Sequence, residues 1–397
     1  MTWELLPARL RRAEDAEPPV DIRSCARLDD IPPEQWPFAE FALRGDLEAS
    51  IDWFALLQRQ VFADDPGVRH YALVEDGQAR AVLPLRRVRR RGVRVLESLS
   101  NYYTSLYSPL LGRDCDPLAL RHLLGAAARQ DGGAHVMRLA PMDPESPAHA
   151  ALLSGLRATG WVPLSYFCFG NWFLKVEGGW EDYLRRRSAN LRSTIKRKSK
   201  QFADAGGALE LIGDAAGLDA GVAAFQAVYS ASWKKPEPYP AFVPALIRLL
   251  AGAGMLRLGI ARLNGEPVAA QLWIVGQGKA SIYKVAYHEA FASYSPGTVL
   301  TSFLMRHVIE EDRVGEVDFL IGDDKYKQIW MSHRRERRGI IAFNTRTVIG
   351  CLLLGKEAAG RLAKKTGRGL AAAASAAWRG LGFARHRPPS PPSPPSR

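Results

Sequence analysis

Residues Gly254 to Trp330 read GMLRLGIARLNGEPVAAQLWIVGQGKASIYKVAYHEAFASYSPGTVLTSFLMRHVIEEDRVGEVDFLIGDDKYKQIW. Leu256, Leu258 and Ile260 alternate along a first strand, and Ala270, Leu272 and Ile274 along a second. Asn264-Gly265 between them predicts a hairpin, because both residues tolerate the positive φ of a type I′ turn. Gly276-Gln277-Gly278 turns the chain into a third strand, Lys279 to Tyr287. Ala292 to Thr298 then opens a helix whose Val299, Leu300, Phe303, Leu304 and Val308 share one face. Val317 to Ile321 reads as a short buried strand, and Gly322 to Trp330 follows it.

An antiparallel meander, a loop entering a helix and a parallel strand, in that order, resemble the core of the GNAT acyltransferase fold. Lys284-Val-Ala-Tyr-His288, Tyr294-Ser-Pro-Gly297, Asp318-Phe-Leu-Ile-Gly322 and Tyr326-Lys-Gln-Ile-Trp330 resemble more narrowly the BioF-like acetyltransferase domain of CelD/FemAB-like proteins, over about residues 171–345. The resemblance implies acetyl-CoA or another acyl-CoA as co-substrate, with no metal. Its pyrophosphate would sit at Ser295, Gly297, Thr298 and Val299, where free N–H groups and the positive end of a helix dipole face an anion. Ordinary GNAT enzymes carry Arg/Gln-x-x-Gly-x-Gly/Ala at this loop; here one glycine stands in Tyr294-Ser-Pro-Gly-Thr-Val299.

Composition sets the partners. The net charge of +13 implies an anionic partner: a cofactor phosphate, a tRNA or an acidic membrane surface. Cys25, Cys115, Cys168 and Cys351 lie far apart, which argues against a zinc site and gives no disulfide framework. Residues 1–20 are charged and proline-bearing, without the apolar core of a signal peptide, and read as a disordered lead. No run reaches the ~18 apolar residues of a membrane span. The expected location is the cytoplasm, with peripheral attachment at the inner membrane surface as its variant.

The first part of the chain repeats the second. Ser50 caps a helix over residues 51–62, and Asp76-Gly77 turns a hairpin between 70–74 and 81–85. Tyr107-Ser-Pro109 precedes a helix from Leu118 to Arg129, and Val136 to Leu139 is a short strand. Asp76-Gly77 matches Asn264-Gly265, Tyr107-Ser-Pro109 matches Tyr294-Ser-Pro296, and Val136–Leu139 matches Val317–Leu320, at offsets of about 181–188 residues. The expected fold is therefore α/β (α+β), two tandem GNAT-like domains of mixed, mostly antiparallel sheet flanked by helices. The expected divisions are a degenerate half at 21–170, an acyltransferase half at 171–345 and a tail at 346–397, basic and Ala/Gly-rich, then Pro/Ser-rich. Leu110 stands where the second half has Gly297, and its side chain would block a phosphate.

A long helix is expected from Trp180 to Asp204, with an apolar stripe of Leu184, Leu191, Ile195 and Phe202. The rest of it, Arg185 to Lys200, is basic without an acid, either a solvated face or an anion-binding one. Further helices are expected over 218–233, ended by Trp233-Lys-Lys-Pro236, and over 242–250. Residues 356–383 read as a loose tail or as an amphipathic membrane-surface helix.

Acyl transfer from a thioester needs a base, oxyanion donors and an acid for the thiolate. Lys284, Ala286 and His288 are expected on one side of the third strand, and Tyr283, Val285 and Tyr287 on the other. Lys284 and Asp318 are charges in buried-looking strands, so they form either a structural ion pair or a catalytic base and an acceptor clamp. His288 is a further candidate base. Tyr326 is the candidate acid for the thiolate, as the resemblance implies. Lys327, Asp323 and Trp330 are candidates for binding an acceptor, with Lys327 on its carboxylate or phosphate. The resemblance alone makes that acceptor a sugar or amino group of an envelope or exopolysaccharide precursor. Two rivals stand beside this reading: a FemABX-type transferase using aminoacyl-tRNA, and a non-catalytic protein that sits on RNA or acidic lipid through 185–200 and 356–383.

Overall fold

The computed structural model describes residues 21–28, 41–112, 115, 119–130 and 133–365. The expected disordered lead at 1–20, residues 366–383 of the expected tail and the Pro/Ser-rich end lie outside them. In chain order come β1 (Asp21–Cys25), α1 (Ile51–Gln60), β2 (Val68–Glu75), β3 (Gln78–Arg90), β4 (Val93–Ser98), β5 (Leu110–Leu111), α2 (Leu120–Arg129), β6 (Val136–Met142), α3 (Pro147–Ala158) and β7 (Trp161–Lys175). Then follow α4 (Trp180–Arg185), α5 (Ala189–Asp204), β8 (Gly207–Ile212), α6 (Leu218–Ser230), α7 (Phe242–Gly252), β9 (Leu256–Leu263), β10 (Glu266–Gly276) and β11 (Lys279–Tyr287). The chain closes with α8 (Pro296–Glu310), β12 (Glu316–Asp318), α9 (Lys325–Trp330), β13 (His333–Asn344) and α10 (Val348–Lys365). Both expected hairpin turns form, with positive φ at Asp76, Gly77, Asn264 and Gly265. Ser50 caps α1 by accepting from the Trp53 N–H.

The strands build one sheet in the order β1-β2-β3-β4-β6-β13-β7-β12-β11-β10-β9-β8, with β5 added to β3. Every pairing is antiparallel except β4 with β6 and β11 with β12. Each parallel pair lies at the inner end of an antiparallel meander, so the two ends of the sheet repeat one plan. The middle is exchanged. β7 follows the first meander in sequence but pairs with β12 of the second. β13 follows the second but pairs with β6 of the first. β13 also pairs along its whole length with β7, over Trp161–Phe173. The expected division at 170/171 falls inside β7. One large core, with α1, α2, α3, α6 and α7, fills one face; a second core lies under α4, α5 and α8.

Three elements differ from expectation. The helix expected from Trp180 to Asp204 breaks at Arg186–Ser188, where Ser188 caps α5 and Arg187 is pulled onto the Trp330 and Met331 carbonyls. Helix α6 ends at Ser230, short of Trp233. Strand β12 stops at Asp318 because Leu320 takes a left-handed φ of 52°.

That last turn is tied down by charge. Asp318 is 1% exposed, and the expected Lys284–Asp318 ion pair does not form. Asp318 instead pairs with Arg335 of β13 at 2.6 Å, accepts from Asn171 of β7 at 2.5 Å, and accepts from the Leu320 N–H at 2.7 Å. Arg335 also pairs with Glu316 at 2.7 Å. Lys284 lies three residues beyond the end of the β11–β12 ladder, after the strands have parted, so Asp318 finds its cation across the exchanged strands. Asp318→Asn removes the charge from a carboxylate with three partners, while Arg335 keeps Glu316. Unfolding in urea should show a loss of about 1–3 kcal/mol; unchanged stability would mean that the cluster does not hold the exchanged strands.

Candidate functional site

Strands β11 and β12 pair only over Lys279–Ser281 and Glu316–Asp318, and then diverge. On the other edge of β11, Leu272 pairs with Lys284 but Trp273 with Ile282, so Tyr283 is an inserted bulge residue. The bulge corrects the expected alternation. Tyr283 shares a side with Lys284 and Ala286, where its hydroxyl donates to the Tyr103 carbonyl at 2.9 Å. Val285 and Tyr287 face the opposite core.

Lys284 is 8% exposed and pairs with Glu237 at 2.7 Å. Its ammonium lies 4.6 Å from the ring centre of Tyr102, 4.9 Å from that of Tyr103 and 6.0 Å from that of Tyr229. The Tyr103 hydroxyl donates to Glu237 at 2.7 Å. Burial pushes the Glu237 carboxyl up, but Lys284 and hydrogen bonds from Lys284, Tyr229 and Tyr103 outweigh it and hold the carboxyl below its usual range. Removing one partner from a pair this enclosed costs about 3–5 kcal/mol.

Lys234 stands beside this pair. Burial, then the like charge of Lys284, bring its ammonium down to about 8, with Glu237 opposing. Lys327 and Asp324 are close enough to act on it in opposite directions. Lys327 is buried, donates to the Phe319 and Ile321 carbonyls, and lies 3.6 Å from Asp324. Burial lowers it too, against Asp324. On the far side of Tyr283, a cavity of about 190 Å³ holds Glu48, Ser105 and Lys279. Burial raises the Glu48 carboxyl to about 7, although Ser105 donates to both its oxygens.

A chain of side-chain contacts joins the charges to helix α8. Pro296 is its first residue and Ser295 its cap, with left-handed φ and no side-chain cap bond. Gly297 lies against Tyr287: a Cβ there would stand 3.4 Å from the Tyr287 ring. Tyr287 and Trp233 have ring centres 4.6 Å apart, and the Lys234 ammonium lies 5.8 Å from both the Trp233 and Tyr229 rings. The basic helix α5 packs alongside, where Lys198 donates to the Ser293 carbonyl at 2.5 Å. Of the other cations from Arg185 to Lys200, Arg185 and Arg186 at the end of α4 and Lys200 of α5 pair with acids, whereas Lys196 and Arg197 are exposed with no acid partner among the described residues.

Lys284 and Lys327 both act electrostatically on Lys234, and Gly297 lies against Tyr287 at the α8 end. The free N–H groups expected there are not all free, because Ser295 donates to the Ala292 carbonyl and Thr298 and Val299 donate to that of Ser295, with the Val299 side chain in the core. Asp318 is consumed by Arg335 and Asn171. Asp323 is taken by Arg334 at 2.7 Å and by the Trp172 indole N–H at 2.6 Å, and the Arg334 bond holds its carboxyl low. Trp330 is core, at 4% exposure. His288 accepts from the Ala290 N–H at 3.2 Å and caps a short 3-10 turn, Glu289–Tyr294. Tyr326 is exposed, edge-on to Phe319, and burial of its hydroxyl raises its ionisation. Sequence reasoning missed Glu237, Lys234, Tyr229, Tyr102 and Tyr103. Glu237 sits between Pro236 and Pro238, a stiff loop that presents one acid, and Tyr102-Tyr103 follows Asn101 in a turn; these were the available signals. Among the described residues, no group of three or more His, Cys, Asp or Glu is placed to hold a metal.

Lys284→Met removes a like charge from beside Lys234 and frees Glu237 to face it. Competitive acylation of Lys234 followed across pH should show its ionisation rising from about 8 toward that of an ordinary lysine. An unmoved profile would mean that the two amines do not share a site.

Residues 189–328 match the family model of an acetyltransferase (GNAT) domain. No curated protein matches the chain in sequence. Among solved structures, the C-terminal domain of a putative lysylphosphatidylglycerol synthetase from Agrobacterium fabrum is similar over 81% of this chain and 95% of its own, at 12% identity and TM-score 0.50. FemX is similar over 77% and 94%, at 14% identity and TM-score 0.51. A conserved protein of unknown function from Bacteroides thetaiotaomicron is similar over 81% and 100%, at 12% identity and TM-score 0.53. At these identities the likeness is one of fold. The chain carries a GNAT acetyltransferase-like domain at 189–328.

Proposed function

We propose that this protein is a CelD/FemAB-like acyltransferase that moves an acyl group from acyl-CoA to an amino or hydroxyl group of an envelope or exopolysaccharide precursor. The path from the α8 N-terminus through Tyr287 and Trp233 to the lysine cluster carries the proposal. A pyrophosphate at Gly297 meets the positive end of a fifteen-residue helix. The thioester arm then runs along β11 where β12 has left it, toward the bulge. There the acceptor's N–H or O–H loses its proton as its heavy atom bonds to the thioester carbon. The C–S bond breaks and the thiolate takes up a proton. Neutral Lys234, which is populated near pH 8, is the proton acceptor in this scheme. Glu237 and Lys284 hold the cleft in shape, and Tyr102, from the first half of the chain, forms its acceptor side. Tyr326 remains the candidate donor to the thiolate.

Gly297→Leu puts a branched side chain in the first turn of α8. Calorimetry should show acetyl-CoA affinity falling by about tenfold or more, with the melting temperature unchanged, since the position is partly exposed and its Cβ has ordinary room. Retained affinity would move the pyrophosphate away from α8.

A second donor, aminoacyl-tRNA, is favoured by one observation: α5 carries exposed Arg192, Lys196 and Arg197 on the helix that contacts the Ser293 loop. In that case tRNA affinity should fall with salt by roughly one unit of log–log slope per phosphate contact. A flat response would exclude tRNA and leave acyl-CoA.

A further inference from the structure

Helix α10 has two unlike sides. Gly350, Leu353 and Leu354 face the sheet, where the leucines pack on a small cluster of Val93, Val95, Val136, Ile341 and Phe343. The outer side is apolar along its described length: Val348 is 77% exposed, Leu352 69% and Leu362 63%, with Ile349, Cys351, Ala358 and Ala359 also exposed between them. Such a face in water costs free energy unless something covers it. No helix among the described residues is long and apolar enough to cross a membrane.

The chain's charge says what covers it. From Ala358 to Arg397 the sequence holds eight Lys or Arg and no Asp or Glu. That run begins within α10 and continues past it, with Trp378 and Phe383 interspersed. An apolar helix face continuous with an acid-free cationic chain matches an anionic bilayer, where apolar groups enter the headgroup boundary and cations pair with lipid phosphates. A second copy would bring the same cations together, and RNA would leave the apolar face in water. We propose that α10 docks this protein on an anionic membrane surface, independently of which acyl donor it uses.

Vesicle flotation of the full chain tests this. The protein should float with vesicles of equimolar phosphatidylglycerol and phosphatidylcholine and stay behind with phosphatidylcholine alone. Val348→Glu with Leu352→Glu should weaken binding by about tenfold or more. Ala220→Glu with Ala223→Glu adds the same charge on exposed positions of α6 and should bind nearly as wild type. Equal loss in both variants, or none in the α10 variant, overturns the docking face. So does failure of the wild type to float. Self-association that the α10 substitutions abolish, or tRNA binding that they weaken, without flotation of the wild type, would assign the face to a second copy or to RNA instead.

Discussion

The carboxylate of Asp318 ties down the point at which β12 leaves β11. By accepting from the Leu320 N–H it stabilises a left-handed turn at a leucine, a conformation that costs about 1–2 kcal/mol without such help. That turn takes the chain away from β11 after three paired residues. Arg335 and Asn171 bring strands β13 and β7 to the two oxygens of one carboxylate, so the exchange of strands and the parting of β11 and β12 share one set of bonds. On the other side of the turn, Lys327 donates to the carbonyls of Phe319 and Ile321.

The bulge at Tyr283 does complementary work on the facing strand. It puts two successive side chains, Tyr283 and Lys284, on the side that meets the first half of the chain. An ammonium there is tolerable only because Glu237 is beside it and three tyrosine rings surround it. The first half supplies two of those rings, yet it has no equivalent of the α8 end. Its Tyr107-Ser-Pro109 leads into the short strand β5, with Leu110 buried on β3, and α2 begins only at Leu120. The two halves thus contribute different side chains around Lys284.

Much of this was legible in the sequence, for local reasons. Asn264-Gly265 and Asp76-Gly77 dictate their turns through φ alone, and the period of two marks β9 and β10. The exchanged strands were not legible: β13 opens with His333-Arg-Arg-Glu-Arg-Arg338, half-solvated and without alternation, and nothing local says which strand it joins. Charge pairing failed for the same reason. Lys284 and Asp318 each needed a partner, as expected, but the partners Glu237 and Arg335 are set by the bulge and by the strand crossing. Helix α5 was recognisable by its stripe, whereas its break at Ser188 depends on Arg187 meeting the Trp330 carbonyl, a contact between distant segments.

The reading of the cleft between β11 and β12 as an acyl-CoA site is tested most directly by amide hydrogen exchange with and without acetyl-CoA. Ligand seated there should slow exchange in two separated segments, the bulged half of β11 around Tyr283–Tyr287 and the first turn of α8 around Gly297–Leu300, and leave β2–β4 unchanged. Protection confined to α5, or no protection in either segment at saturating acetyl-CoA, would contradict it.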